Sequence, residues 1–178
     1  MTWAKLSATL EPYAYQRQVV GFDTFSGFPA DSISCRDHDG CTNADPDTND
    51  PQPGNFAGNL SRLNESVAKF DADRPIGHIP KVELVQGDVM KTIPKWLAAN
   101  RHAMISLLFL DLDLYKPTKF ALDALEHRLV HGSVVAFDEI NNPDWPGEAE
   151  AFRESGYVNA GPLRCFSWEP NVSYVVMR

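Results

Sequence analysis

No glycine in this chain is followed two places on by another, so the turn that cradles a dinucleotide is missing, and so is a P-loop. A phosphotransferase built on that loop is thereby excluded, and a dehydrogenase loses its fingerprint. Positive charge is also scarce. Sixteen Lys and Arg stand against 24 Asp and Glu, for a formal net charge of -8. Phosphate backbones are bound by basic stripes, so nucleic acid is not the expected partner. No apolar run approaches the roughly 20 residues that span a bilayer, which argues against a membrane partner. The opening "MTWAKLSATLEP" lacks the charged-then-apolar pattern of a signal peptide, and the expected location is cytoplasmic. Cysteines number three, Cys35, Cys41 and Cys165, an odd count that makes no disulfide framework. "CRDHDGC" sets two thiols with five residues between them around one His, too loose for a usual zinc knuckle, and reads as a polar loop. "DPDTND" fails as a calcium loop because Asp50 stands where that loop requires Gly.

What is present suits one domain of α/β type. The chain has 178 residues, 43% of them hydrophobic, enough to bury a core. Helical spacing of Trp3, Leu6, Leu10 and Ala14 predicts a helix over 3–17, bent near Pro12. Another helix is expected over 56–70, through Leu60, Leu63 and Val67, and a third starting near 92–94. Helices also follow from "PTKFALDALEHRLV" and "GEAEAFRESG". Between them lie β-rich runs: "VVGFDTF", "KVELVQGD", "MISLLFLD" and "GSVVAFDE". The tail reads as a hairpin, "LRCFSW" and "VSYVVMR" joined by "EPN", with an antiparallel last strand. Strands alternating with helices imply a parallel sheet covered on both faces.

Each of those four strands ends in an acid: Asp23, Asp88, Asp111 and Asp138. In an open α/β sheet the ligand crevice lies outside the carboxyl ends of the strands, so these acids should converge at one rim. Asp23 precedes a turn-rich segment and not a helix, which leaves it for ribose hydroxyls. Asp88 is open between capping the next helix and meeting a base edge. "LLFLDLDLY" runs from an apolar strand, expected to be buried on both faces, into Asp111 and Asp113. If the strand continued, these two would face opposite ways; Asp111 is the one assigned to the site, and Asp113 to capping the "PTKF" helix or holding the turn. Asp138 and Glu139 make a second acidic pair on the neighbouring strand. Two strands delivering carboxylates to one place is what a hard divalent cation requires. The alternative is a self-repelling cluster relieved by Lys116, Lys119 or raised pKa values. His78, His102, His127 and His131 read as surface or loop residues.

"GFDTFSGFP", "GDVMKTIP", "FLDLDLYKPTKFALDAL" and "VVAFDEINNPDWPGE" together resemble the macrocin and mycinamicin sugar O-methyltransferases. The likeness covers most of the chain. It implies a Rossmann-like methyltransferase sheet with helices on both faces, S-adenosylmethionine as methyl donor, and Mg²⁺ held by Asp111, Asp138 and Glu139. Glu139 stands where that family more often has a second Asp. The resemblance puts Asp23 on the cofactor ribose, Asp88 near the adenine and Asp111 beside the cofactor. A sugar-type small molecule would be the acceptor, and a homo-oligomer is compatible with the sequence. No catalytic base is identified. The family's first strand and its Gly-rich loop have no counterpart here, so the expectation is an N-terminally truncated domain over 1–178. A degenerate, non-catalytic binding module is the competing reading. Finally, residues 29–55 are rich in Asp, Pro and Gly and are expected to form a lid, poorly ordered without ligand.

Overall fold

The computed structural model describes residues 1–38 and 50–178; Cys41 and most of "DPDTND" lie outside them. Helix α1, Thr2–Leu10, stops one residue before Glu11–Pro12. The predicted continuation to residue 17 fails because proline disfavours helical backbone in the residue before it. Strand β1, Val19–Asp23, pairs in parallel with β2, Val82–Gln86, through the crossover helix α2, Leu60–Ala72. Asn59 caps α2 by accepting the Arg62 N–H at 2.9 Å. Helix α3, Val89–Ala99, begins directly at β2's exit with Asp88 as its cap, and carries Pro94 inside it. The helix therefore starts earlier than the proline alone suggested.

Strand β3, Ile105–Leu110, runs parallel to β4, Leu129–Phe137, with helix α4, Tyr115–Leu125, between them in sequence. Helix α5 spans Gly147–Arg153. The chain closes with the antiparallel pair β5, Arg164–Phe166, and β6, Glu169–Val176. Their turn is Ser167–Trp168, so "EPN" belongs to β6 and not to the loop as predicted. Strand β6 also pairs antiparallel with β4, giving the order β3-β4-β6-β5.

The core lies where α4 and α5 meet this four-stranded sheet. Pro117, Thr118, Ala121, Leu122 and Leu125 form the buried stripe of α4, spaced as one helical face requires. They meet Leu110, Val135, Phe137 and Val175 from the strands and Ala151 and Phe152 from α5. The Phe137 and Phe152 rings meet edge to face at 5.3 Å. The buried Tyr157 hydroxyl donates to the Leu122 carbonyl at 2.9 Å, so its polar end is satisfied.

Two sequence expectations change at the sheet. The four acid-ended strands do not form one ladder: β1 and β2 pair in one sheet, β3 and β4 in the other. Arg17, just ahead of β1, reaches the Ser106 hydroxyl of β3 at 3.3 Å, so the sheets are neighbours without shared main-chain bonds. Strand β3 is accordingly less enclosed than expected, with Leu110 buried and the others half-buried or exposed. Among the described residues only β4 pairs with it, and the Trp3 ring of α1 covers Phe109 at 5.5 Å.

Candidate active site

The carboxyl ends of β1, β2, β3 and β4 border one cavity of about 560 Å³, within the range of small-molecule sites. Asp23, Asp88, Asp111, Asp138 and Glu139 all line it, and so does Asp113. The ladder explains part of this. The Asp138 N–H donates to the Leu110 carbonyl at 3.0 Å, which sets Asp138 beside the residue that leads into Asp111.

Asp23 uses one carboxylate oxygen, Oδ1, to accept the Phe25 N–H at 2.8 Å, and it caps no helix. Asp88 does cap: its Oδ1 accepts the Met90 N–H at 2.9 Å, and Lys91 lies 3.0 Å from its other oxygen. Asp113 departs from expectation. The strand ends at Leu110, and Asp113 takes a positive φ of 58° in a tight turn where the Leu114 N–H reaches the Leu112 carbonyl at 2.6 Å. Alternation no longer applies there, so Asp111 and Asp113 reach the same cavity. Asp113 sits in the turn but does not cap α4, whose Tyr115 N–H is accepted instead by Asp37 at 2.5 Å.

Lys91 pairs with Asp88, but among the described residues no lysine neutralises Asp111, Asp138 or Glu139. Lys116 donates to the carbonyls of Asp31 and Ile33, at 2.7 and 3.2 Å, and Lys119 pairs with Asp123. Burial, then the charges of Asp138, Glu139 and Asp23, pushes the Asp111 carboxyl above its ordinary range. Burial and then Glu139 raise Asp138 likewise. Asp113 is pushed up to about 7 by burial first, then by Asp111, Glu139 and Asp138. Glu139 also engages Asn142, whose amide donates to it at 2.7 Å. Among the described residues no three His, Cys, Asp or Glu side chains stand close enough together to hold a metal ion.

A pH dependence follows. An acid whose folded pKa is raised binds its proton more tightly when folded. Its stabilising contribution is complete below the unfolded pKa and is lost as pH rises through the folded one. With Asp113 near 7 and buried Glu148 pushed up to about 8, the protein should lose stability steadily from about pH 4 to about pH 8 in metal-free buffer. Melting temperatures across that window will check this; a midpoint that climbs with pH would contradict it.

The described parts of the loop after β1, 29–38 and 50–55, are held by specific contacts. Its neck is closed by two main-chain bonds, Phe28 N–H to Asn55 carbonyl at 3.1 Å and Gly54 N–H to Phe28 carbonyl at 3.0 Å. Gly27 has φ 80°, and an added Cβ would sit 2.3 Å from the Gly54 carbonyl oxygen, so no side chain fits at the neck. Ser32 and Asp37 are buried, and Arg36 lies over the Tyr115 ring at 4.3 Å while pairing with Glu154 at 2.6 Å. "CRDHDGC" thus contributes a fixed polar anchor at Cys35–Asp37, a short 3-10 turn capped by Ser34. His38 lies 2.8 Å from Asp50. The rest of the expected lid, 39–49, lies outside the described residues.

Sequence reasoning missed a wall of aromatic rings on this cavity. Phe28, Phe56 and Trp145 meet pairwise edge to face, with centroids 5.6 to 5.9 Å apart. They come from two distant loops, and no local pattern brings them together. It also missed Asp37 and Glu148. The Ser34-to-Asp37 spacing is a capping-box pattern that signals the first. The second betrays itself as an acid sharing the buried face of α5 with Ala151 and Phe152. None of the four expected surface histidines lines the cavity.

With this geometry in view, a protein-family model described as Macrocin-O-methyltransferase (TylF) matches residues 5–165. No curated protein matches. Among solved structures, the crystal structure of CalS11, calicheamicin methyltransferase, is similar with TM-score 0.87 and 38% identity over 98% of this chain and 66% of that one. The apo structure of CalS11, described as a TDP-rhamnose 3'-O-methyltransferase of calicheamicin biosynthesis, gives 0.76 and 35% over 98% and 65%. The O-methyltransferase NovP matches at 0.69 and 16% identity over 98% and 65%, which speaks to the fold alone. The chain spans just under two thirds of the length of these methyltransferases. None of its helices, among the described residues, is long and apolar enough to cross a membrane.

Proposed function

The chain belongs to the macrocin-O-methyltransferase family, and from that premise we propose that it serves S-adenosylmethionine-dependent methylation of a hydroxyl on a sugar or glycosylated small molecule, assisted by Mg²⁺. The observation that carries this reading is the gathering of Asp23, Asp88, Asp111, Asp138 and Glu139 around one cavity with no lysine neutralising the last three. When bound, S-adenosylmethionine supplies an electrophilic methyl group. A divalent cation, when bound, lowers the pKa of a coordinated hydroxyl. Asp111, Asp138 and Glu139 are the residues the resemblance assigns to that cation, although as they stand here no three such side chains among the described residues come close enough together to hold one. Their oxygens are the hard donors it prefers, and the raised carboxyls of Asp111 and Asp138 reflect charge it would relieve.

The remaining work falls to this chain's own residues. Asp23 keeps Oδ2 available for ribose hydroxyls while Oδ1 stays tied to the Phe25 N–H. Asp88, fixed as the α3 cap, borders the adenine side. Phe28, Phe56 and Trp145 exclude water and orient the acceptor's apolar face. Bound S-adenosylmethionine would supply the methyl group to the acceptor oxygen, and the hydroxyl proton would leave to a base outside the residues assigned here.

Titration calorimetry with S-adenosylhomocysteine, with and without Mg²⁺, tests the reading on the protein that carries this chain. Binding is expected, and its absence in both conditions would favour a non-catalytic relic of the fold. In the same assay Asp23→Ala should weaken cofactor binding by about 1.5–3 kcal/mol, the range for hydrogen bonds to a charged group. Mg²⁺ affinity should barely change. The opposite pattern would mean that Asp23 serves the metal and not the ribose.

A further inference from the structure

Among the described residues four non-glycine residues take a positive φ, and two of them, Phe56 at 60° and Asp113 at 58°, line the cavity. A bulky residue rarely adopts this conformation, because its Cβ crowds the following carbonyl. Phe56 is held there on one side by the neck of the loop. The Asn55 carbonyl accepts the Phe28 N–H at 3.1 Å, and the Gly54 N–H donates to the Phe28 carbonyl at 3.0 Å. On the other side Asn59, three residues on, caps α2. Burial of its own ring offsets little of the strain, since Phe56 stays 70% exposed. The ring is nevertheless fixed, with Phe28 at 5.6 Å and Trp145 at 5.7 Å, each edge to face. Strain that persists without burial clusters where a ligand is bound.

We propose that Phe56 is a specificity-determining residue for the acceptor, its strained backbone presenting the ring so that it completes, with Phe28 and Trp145, a wall for the C–H face of an uncharged glycoside. The inference deepens the sugar-acceptor reading given above and rests on it. An aromatic face is electron-rich and attracts the slightly positive hydrogens of a sugar's C–H bonds. The three rings meet at 67° to 70°, so they form a corner and not a flat slot. Charge decides between the forms in which a sugar could arrive. Asp23, Asp88, Asp111, Asp113, Asp138 and Glu139 line the same cavity, and none of its described lining residues is Lys, Arg or His. A cleft lined by one sign of charge gathers counter-ions and disfavours ligands of its own sign. A sugar carried on a nucleoside diphosphate brings negative phosphates to that rim, whereas a sugar already joined to a neutral aglycone brings none. On this reading methylation follows glycosyl transfer.

The test compares wild type with F56A, F56G and F56Y of the protein that carries this chain, each with S-adenosylhomocysteine present. Methyl α-L-rhamnopyranoside is the uncharged probe and thymidine diphosphate rhamnose its charged counterpart; the two share one sugar and differ in charge. Saturation-transfer NMR follows both titrations and reads which sugar protons meet the protein. The uncharged probe should bind through its ring C–H protons, and F56A and F56G should each weaken it by about 2- to 12-fold, the range for one aromatic contact. F56Y keeps the ring and should recover most of that loss. Affinity for S-adenosylhomocysteine alone should be unaltered in all three. Thermal melting separates a binding ring from a structural one. Glycine takes a positive φ freely, so F56G should melt above F56A by about 2–4 °C. Equal probe affinity in wild type and F56A would overturn the proposal. So would tighter binding of the diphosphate sugar, binding of neither probe by a protein that holds S-adenosylhomocysteine, or F56G and F56A melting equally far below wild type. Failure of the wild-type protein to bind S-adenosylhomocysteine would instead overturn the methyltransferase reading, and this proposal with it.

Discussion

Asp111→Ala is expected to reduce methyl transfer by roughly 100-fold or more, the scale for removing one preorganised electrostatic group from an active site. Asp111 follows directly from β3, beside Asp138 on β4, and the two share one cavity with Glu139. Its side chain is exposed at the rim, yet desolvation and then the neighbouring acids raise its carboxyl. Removing it therefore relieves repulsion when no cation is present, and the metal-free protein should melt no lower than wild type. The two readouts separate a site residue from a structural one. Turnover at saturating cofactor, acceptor and Mg²⁺, measured alongside thermal melting, is the check. Undiminished turnover would remove Asp111 from the site; lost turnover with a collapsed melting point would recast it as structural.

Gly147→Ala should be the most damaging small change to the fold around the site. The glycine is helical, so the cost arises from space and not from backbone strain. An added Cβ would meet Asp37 Oδ1 at 2.3 Å, the Tyr115 nitrogen at 2.6 Å and the Asp113 carbonyl oxygen at 3.0 Å. Two of these are backbone atoms that cannot rotate away, and the third is a buried carboxylate held by three hydrogen bonds. Overpacking of this kind costs about 1–3 kcal/mol, and more where the neighbours cannot yield. Denaturant unfolding of the variant against wild type measures it. A stability within 0.5 kcal/mol (about the scatter of surface substitutions) would show that α5 can shift at no cost.

The alternation of strand and helix was legible from residue pattern, because burying one face imposes periods of two and 3.6 that a linear chain displays. The acids Asp23, Asp88, Asp111 and Asp138 were legible for a related reason: each stands where an apolar strand stops, and strand ends share a rim in a parallel arrangement. Local geometry misled in one place. Asp113 was placed on the opposite face from Asp111 by strand alternation, but the strand ends at Leu110 and a positive φ turns Asp113 into the same cavity.

Other features had no linear signature strong enough to read. The loop "PADSISCRDHD" looks like solvated coil, yet Asp37 within it is wholly buried. Its partner, the Tyr115 N–H, lies 78 positions away. Glu148 looks like an ordinary helix-start acid until its carboxyl is seen to bind the turn of a different strand. The aromatic wall joins Phe28 and Phe56 to Trp145 across more than half the chain. The sequence by itself therefore determined which segments become strands and helices and which carboxylates leave the strands. Those choices depend on neighbours within a few residues. Only the tertiary structure decided which buried carboxyls bond to the turns behind them and what faces them across the cavity. Such contacts join residues far apart in the chain, and burial in the folded protein gives them their strength.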